Sequence, residues 1–115
     1  MIDMEENIIK KEVKSNLAEL FRIMGDNSRL SVLLCLSERS RNVSEIVREL
    51  GLKQSLVSHH LKVLRQYGLI SAQRKSPFIL YSASETKLWQ LISLAMEVVE
   101  QARSELNSEK GGQDV

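Results

Sequence analysis
One glycine, Gly51, divides two stretches of helical period and leaves almost no chain between them. Upstream, Asn42-Val43-Ser44-Glu45 puts a hydrogen-bond acceptor at a cap position and Glu three residues on, the pattern of a capping box. The helix opened there is predicted to run to Leu50 and to stop at Gly51. Downstream, a second helix is predicted from near Gln54 to just before Gly68. Turned through about 100° per residue, it carries Ser55, Ser58, His59, Lys62, Arg65 and Gln66 on one side. Leu56, Val57, His60, Leu61, Val63, Leu64 and Tyr67 fall on the other. Such one-sided helices lay their apolar stripes on a shared core. Joined through Gly51 to Lys53, the pair reads as a helix-turn-helix unit.

The flanking sequence extends this unit. Ile9, Val13, Leu17, Leu20 and Met24 recur at three- to four-residue spacing, which predicts a first helix ended by Gly25. Asp26 then caps a second helix. Leu30 to Leu36 is apolar on nearly every side, which places that helix at the centre of the core. After Gly68, Leu69 to Gln73 and Phe78 to Ser82 are β-prone runs with Lys75-Ser76-Pro77 between them, the pattern of a two-stranded wing. A last helix is predicted from about Glu85 to Leu106. The fold class is therefore mainly α with a small β-hairpin. Residues 1–107 are expected to form one domain, and residues 108–115, with Gly111-Gly112, a disordered tail.

Both end helices carry apolar seams. Leu88, Ile92, Ala95, Val99, Ala102 and Leu106 repeat like a heptad, and Ile9, Val13 and Leu17 make a comparable stripe in the first helix. A chain of 115 residues has too few layers to cover both. The expected solution is a homodimer with these residues at the interface.

Charge is distributed unevenly. The net charge is +1, yet the 35 residues between Glu49 and Glu85 hold no Asp or Glu and five cations, Lys53, Lys62, Arg65, Arg74 and Lys75. A positive patch that coincides with a helix-turn-helix suits a nucleic-acid reader. No apolar run approaches the roughly 18 residues that span a bilayer, and the polar start, Met1 to Lys14, is unlike a signal peptide. The single cysteine, Cys35, cannot form an internal disulfide, and a cytoplasmic location is expected.

These motifs carry a family resemblance. Leu17-Ala18-Glu19-Leu20-Phe21-Arg22-Ile23-Met24-Gly25-Asp26-Asn27-Ser28-Arg29-Leu30 resembles the entry to the winged helix-turn-helix repressors of the ArsR/SmtB family. Gln54-Ser55-Leu56-Val57-Ser58-His59-His60-Leu61-Lys62-Val63-Leu64 is similar to that family's recognition helix. Gly68-Leu69-Ile70 and the basic wing ending in Tyr81-Ser82 complete the likeness, which covers roughly residues 15 to 105. The resemblance implies a homodimeric transcriptional repressor, element order α-α-α-α-β-β-α, dimerised through its first and last helices. It also implies double-stranded DNA with a short inverted repeat as partner. One departure is Lys53, which stands where the family usually has a Ser or Thr cap.

In a helix-turn-helix the N-terminal half of the second helix faces base edges. Gln54, Ser55, Ser58 and His59 are expected to make those contacts, because Gln pairs bidentately with adenine and Ser serves several bases. Lys53, Lys62, Arg65, Arg74 and Lys75 are expected on phosphates, which supply affinity and orientation. Adjacent His59 and His60 point about 100° apart and make a poor ion site. The family's sensor sites are not matched in sequence. Arg41 to Glu45 has no thiol, and Glu85 to Leu106 has no His, Asp or Cys. No metal and no cofactor are expected, Cys35 is read as an inert core residue, and any inducer is left unnamed.

No phosphate loop or nucleophile elbow is present, so an enzyme is not expected. Two alternatives stand beside the repressor: the same scaffold sensing a small molecule between its terminal helices, or an interaction module that has lost DNA binding. The acid-free basic span argues against the second.

Overall fold
The computed structural model describes residues 4–83 and 86–113. The chain divides into two compact units, residues 1–83 and residues 84–115. The first holds α1 (Met4–Met24), α2 (Asn27–Glu38), α3 (Val43–Leu50), α4 (Gln54–Gln66), β1 (Ser71–Lys75) and β2 (Phe78–Ser82). The second is the helix α5 (Thr86–Gln113). This is the expected order, with α5 continuing past Leu106, the last apolar position of its seam.

Local chemistry sets the helix limits. Gly25 closes α1, donating its N–H to the Phe21 carbonyl at 2.8 Å. A Cβ at Gly25 would lie 2.9 Å from that oxygen, so the corner admits no side chain there. The Asp26 carboxylate accepts from Arg29 N–H at 2.9 Å and caps α2. At α3 the capping box is complete. Asn42 Oδ1 accepts from Glu45 N–H at 2.9 Å, and Glu45 Oε1 accepts from Asn42 N–H at 3.1 Å. Gly51 ends α3 at φ 66°, a left-handed conformation that favours glycine.

The helix α4 ends in a Schellman motif. Leu69 N–H reaches the Leu64 carbonyl at 2.9 Å, and Gly68, at φ 78°, donates to Arg65 at 3.0 Å. This corrects the expected first strand. Leu69 and Ile70 belong to the helix exit, so β1 begins at Ser71 and takes in Arg74 and Lys75. Pairing runs antiparallel from Ser71 opposite Ser82 to Lys75 opposite Phe78, with Ser76-Pro77 as the turn. Arg41 adds a bridge on β2, exchanging N–H···O bonds with Tyr81 at 3.0 and 2.9 Å.

The core of the first unit surrounds α2, which packs against α1, α3, α4 and β2. Ile23, Val32, Leu33, Leu36, Ile46, Val57, Leu61, Leu64 and Ile70 are buried. From α4 come Val57, His60, Leu61 and Leu64, one face of a helix at spacing i, i+3, i+4, i+7. Leu56 and Tyr67, expected on that face, are exposed because they lie at its margins.

Candidate nucleic-acid interface
With its apolar stripe committed to the core, α4 turns the opposite face outward. Gln54, Ser55, Ser58, His59, Lys62, Arg65 and Gln66 are all exposed there. Lys53 occupies the N-cap without a side-chain cap bond, in keeping with the missing Ser or Thr. Its carbonyl starts the helical ladder by accepting from Val57 at 3.0 Å.

Between α4 and the wing runs a cleft of about 460 Å³ lined by Ser58, Leu61, Lys62, Arg65, Gln66 and Tyr81. Gln66 and Tyr81 were not among the residues expected to meet DNA. Gln66 was legible on the polar face of α4, whereas nothing local marks Tyr81, which the hairpin brings to the cleft. The two wing cations are divided. Neighbouring strand residues face opposite ways, so Arg74 shares a side with Ala72 and its cross-strand partner Tyr81, and Lys75 takes the other. Among the described residues, none of Lys53, Lys62, Arg65, Arg74 and Lys75 is in a salt bridge.

The two histidines diverge as expected. Their ring centroids are 5.8 Å apart with planes inclined at 51°, His59 exposed and His60 buried. Cys35 is 7% exposed and donates its S–H to Glu49 at 3.1 Å, a partner the sequence did not suggest. Burial first, and then that carboxylate, push the thiol up to about 11, so it carries almost no thiolate at neutral pH.

The residues expected at a dimer interface differ in exposure. Ile9, Val13 and Leu17 of α1 are exposed, as are Ala95, Val99, Ala102 and Leu106 of α5, whereas Leu88 and Ile92 are buried. Further apolar side chains stand exposed: Met4, Ile8 and Phe21 on α1, and Trp89, Leu94, Met96 and Val98 on α5. No helix among the described residues is long and apolar enough to cross a membrane.

Comparison with known proteins adds to this geometry. The family model for bacterial regulatory proteins of the arsR family matches residues 26–72, from the α2 cap into β1. An uncharacterized HTH-type transcriptional regulator of Methanocaldococcus jannaschii is 33% identical over 82 residues, covering 70% of this chain and 92% of the relative. The transcriptional activator HlyU of Vibrio cholerae is 32% identical over 92 residues, covering 80% of each chain. The crystal structure of Rv0081 from Mycobacterium tuberculosis superposes with a TM-score of 0.76 at 30% identity, covering 81% of this chain and 94% of that one. A capped helix-turn-helix, a two-stranded wing and these likenesses together make the chain a member of the arsR family of bacterial regulatory proteins, a DNA-binding transcriptional regulator.

Proposed function
We propose that the protein binds an inverted repeat as a homodimer and represses transcription by occupying it. The observation that carries this reading is the exposed polar face of α4, bordered by five cations that no carboxylate among the described residues pairs with. Gln54, Ser55, Ser58 and His59 read base edges in the major groove. Lys53, Lys62, Arg65, Arg74 and Lys75 hold phosphates, and Gln66 and Tyr81 line the cleft beside them. Occupancy alone blocks polymerase where an operator overlaps a promoter, and such a protein works in the cytoplasm. Neither the cysteine pair nor the His and Asp ligands of the family's sensor sites have counterparts in the sequence, so the regulator acts without them.

The dimer follows from the apolar side chains left exposed on α1 and α5, which need a partner surface. Ile9, Val13 and Leu17 with Ala95, Val99, Ala102 and Leu106 of α5 form the interface, whereas Leu88 and Ile92, expected there from the seam, are already covered within the chain. A two-fold axis sets two recognition helices about one DNA turn, ~34–36 Å, apart.

Selection of bound duplexes by the purified protein should recover a shared inverted repeat. With about three to five phosphates neutralised per subunit, the log–log salt slope of the dimer lies near −5 to −9, at roughly 0.9 per phosphate. A slope shallower than about −2 would sink the phosphate assignment. Val99→Glu buries an unpaired charge at the interface and should sediment as a monomer with weak operator binding. A wild-type monomer that bound the repeat tightly would overturn the interface.

A further inference from the structure
His60 is the polar residue of α4 that turns inward. Its side chain is 4% exposed, and neither ring nitrogen has a hydrogen-bond partner. A neutral imidazole offers one donor and one acceptor, and burying both unpaired is unfavourable. The carboxylate facing it belongs to Asp26, whose Oδ1 lies 3.8 Å from Nε2. That is roughly 1 Å beyond an ordinary N–H···O bond.

Asp26 is well fixed. It caps α2 through Arg29 N–H, directly after the tight corner at Gly25. A carboxylate oxygen has lone pairs for both the cap and an imidazole. The other charged or titratable groups acting on the ring are Arg29, whose buried Nε–H is engaged by the Ile23 carbonyl at 2.7 Å, and His59 on the same helix.

We propose that His60 is a positioning residue for DNA recognition: its ring and Asp26 form an adjustable contact between the α1–α2 corner and α4, drawn closed when the ring takes up a proton. This rests on the reading of α4 as the base-reading helix. A charge-assisted bond to a carboxylate is shorter and stronger than the neutral contact. Closing the gap moves the back of α4 by about 1 Å, which exceeds the ~0.5 Å tolerance of a well-made recognition site. Burial holds the His60 ring below the ordinary histidine range, Asp26 works the other way, and Arg29 and His59 lower it further. The ring is therefore neutral at pH 7.5 and takes its proton only in acid, below the ordinary histidine range.

The test compares binding of the selected inverted repeat with binding of a random duplex, at pH 7.5 and pH 5.5 and constant ionic strength. In the wild type the operator-to-random affinity ratio should fall by about tenfold, a usual size for coupled equilibria. In His60→Leu and in Asp26→Asn it should change less than about twofold. Asn caps as well as Asp, and Leu removes both unpaired nitrogens, so these variants fold and keep normal stability. His59→Gln, which removes a base contact, should start from a lower ratio at pH 7.5, and that ratio should still fall in acid. A second measurement needs no DNA. In ¹⁵N spectra of the wild type, the His60 ring and the α4 amides should titrate with one midpoint, and Asp26→Asn should lower it. A ratio equal at both pH values, a fall that persists in His60→Leu, or a ring that stays neutral to pH 5 would overturn the proposal. A wild type that fails to discriminate at pH 7.5 would instead sink the base-reading assignment, and the ring titration would still decide the contact.

Discussion
The α2–α3 corner and the α4–wing surface both carry cations, and they treat them in opposite ways. At the corner, the Arg41 side chain is 4% exposed and surrounded by acceptors. Its guanidinium donates to the carbonyls of Cys35 and Arg39 and to Glu38 at 3.2 Å. Glu49 Oε2 lies 2.8 Å from Nε, an ion-pair contact too far off the N–H direction for a hydrogen bond. Arg39 reaches Glu45 at 3.2 Å and Glu49 at 3.1 Å. On α4 and the wing no carboxylate answers Lys62, Arg65, Arg74 or Lys75 among the described residues. Cations neutralised in place hold the fold, and cations left unneutralised remain available to an external polyanion.

By that contrast, the largest effect on stability comes from the corner. Arg41→Ala leaves Glu38 and two carbonyls without their donor, removes the cation beside Glu49, and should cost about 3 kcal/mol in urea unfolding. A loss below about 1 kcal/mol would mean that the cluster is not a fixed part of the fold. Ser58→Ala and His59→Ala should leave stability unchanged, since both residues are exposed. Each should reduce the operator-to-random difference by about 1–3 kcal/mol.

Lys62→Ala with Arg65→Ala should weaken operator and random DNA alike. With two phosphate-binding cations removed from each subunit, the salt slope of the dimer becomes shallower by roughly 3 to 4. Arg39→Ala should leave the slope alone and cost less than about 1 kcal/mol, because its pairs are solvent-exposed. Equal slopes for the Lys62/Arg65 double variant and the wild type would erase the distinction between the two regions.

Acid sharpens the comparison with a smaller, directional effect. Arg41 and the Cys35 thiol hold Glu49 below the ordinary carboxylate range, and the Asn42 N–H and Arg39 do the same for Glu45. A lowered folded-state pKa means that the unfolded chain binds more protons as pH falls. The stabilisation is complete above the ordinary value of about 4.5 and is lost as pH drops through the lowered one. Glu49→Gln should flatten this acid limb of an unfolding profile.

What could be read in the sequence shares one property: it is decided within a few residues. The capping box at Asn42, the stops at Gly51 and Gly68 and the outward polar face of α4 each depend on neighbours no more than about one or two helical turns away. Those signals fixed the element order and the exposure of Gln54, Ser55, Ser58, His59, Lys62 and Arg65. The β-prone run opens at Leu69, yet β1 starts only at Ser71, because Leu69 spends its N–H on the Schellman bond to Leu64, which competes with the strand pattern.

Only the tertiary structure could decide the rest. The Arg41–Tyr81 bridge, the Cys35–Glu49 hydrogen bond and the approach of His60 to Asp26 join residues far apart in the chain. Helical period placed His60 on the inner side of α4, but not the carboxylate it would find there. Side-chain partners across a core depend on how α2, α3 and α4 pack, and packing is a property of the whole chain rather than of any window of it.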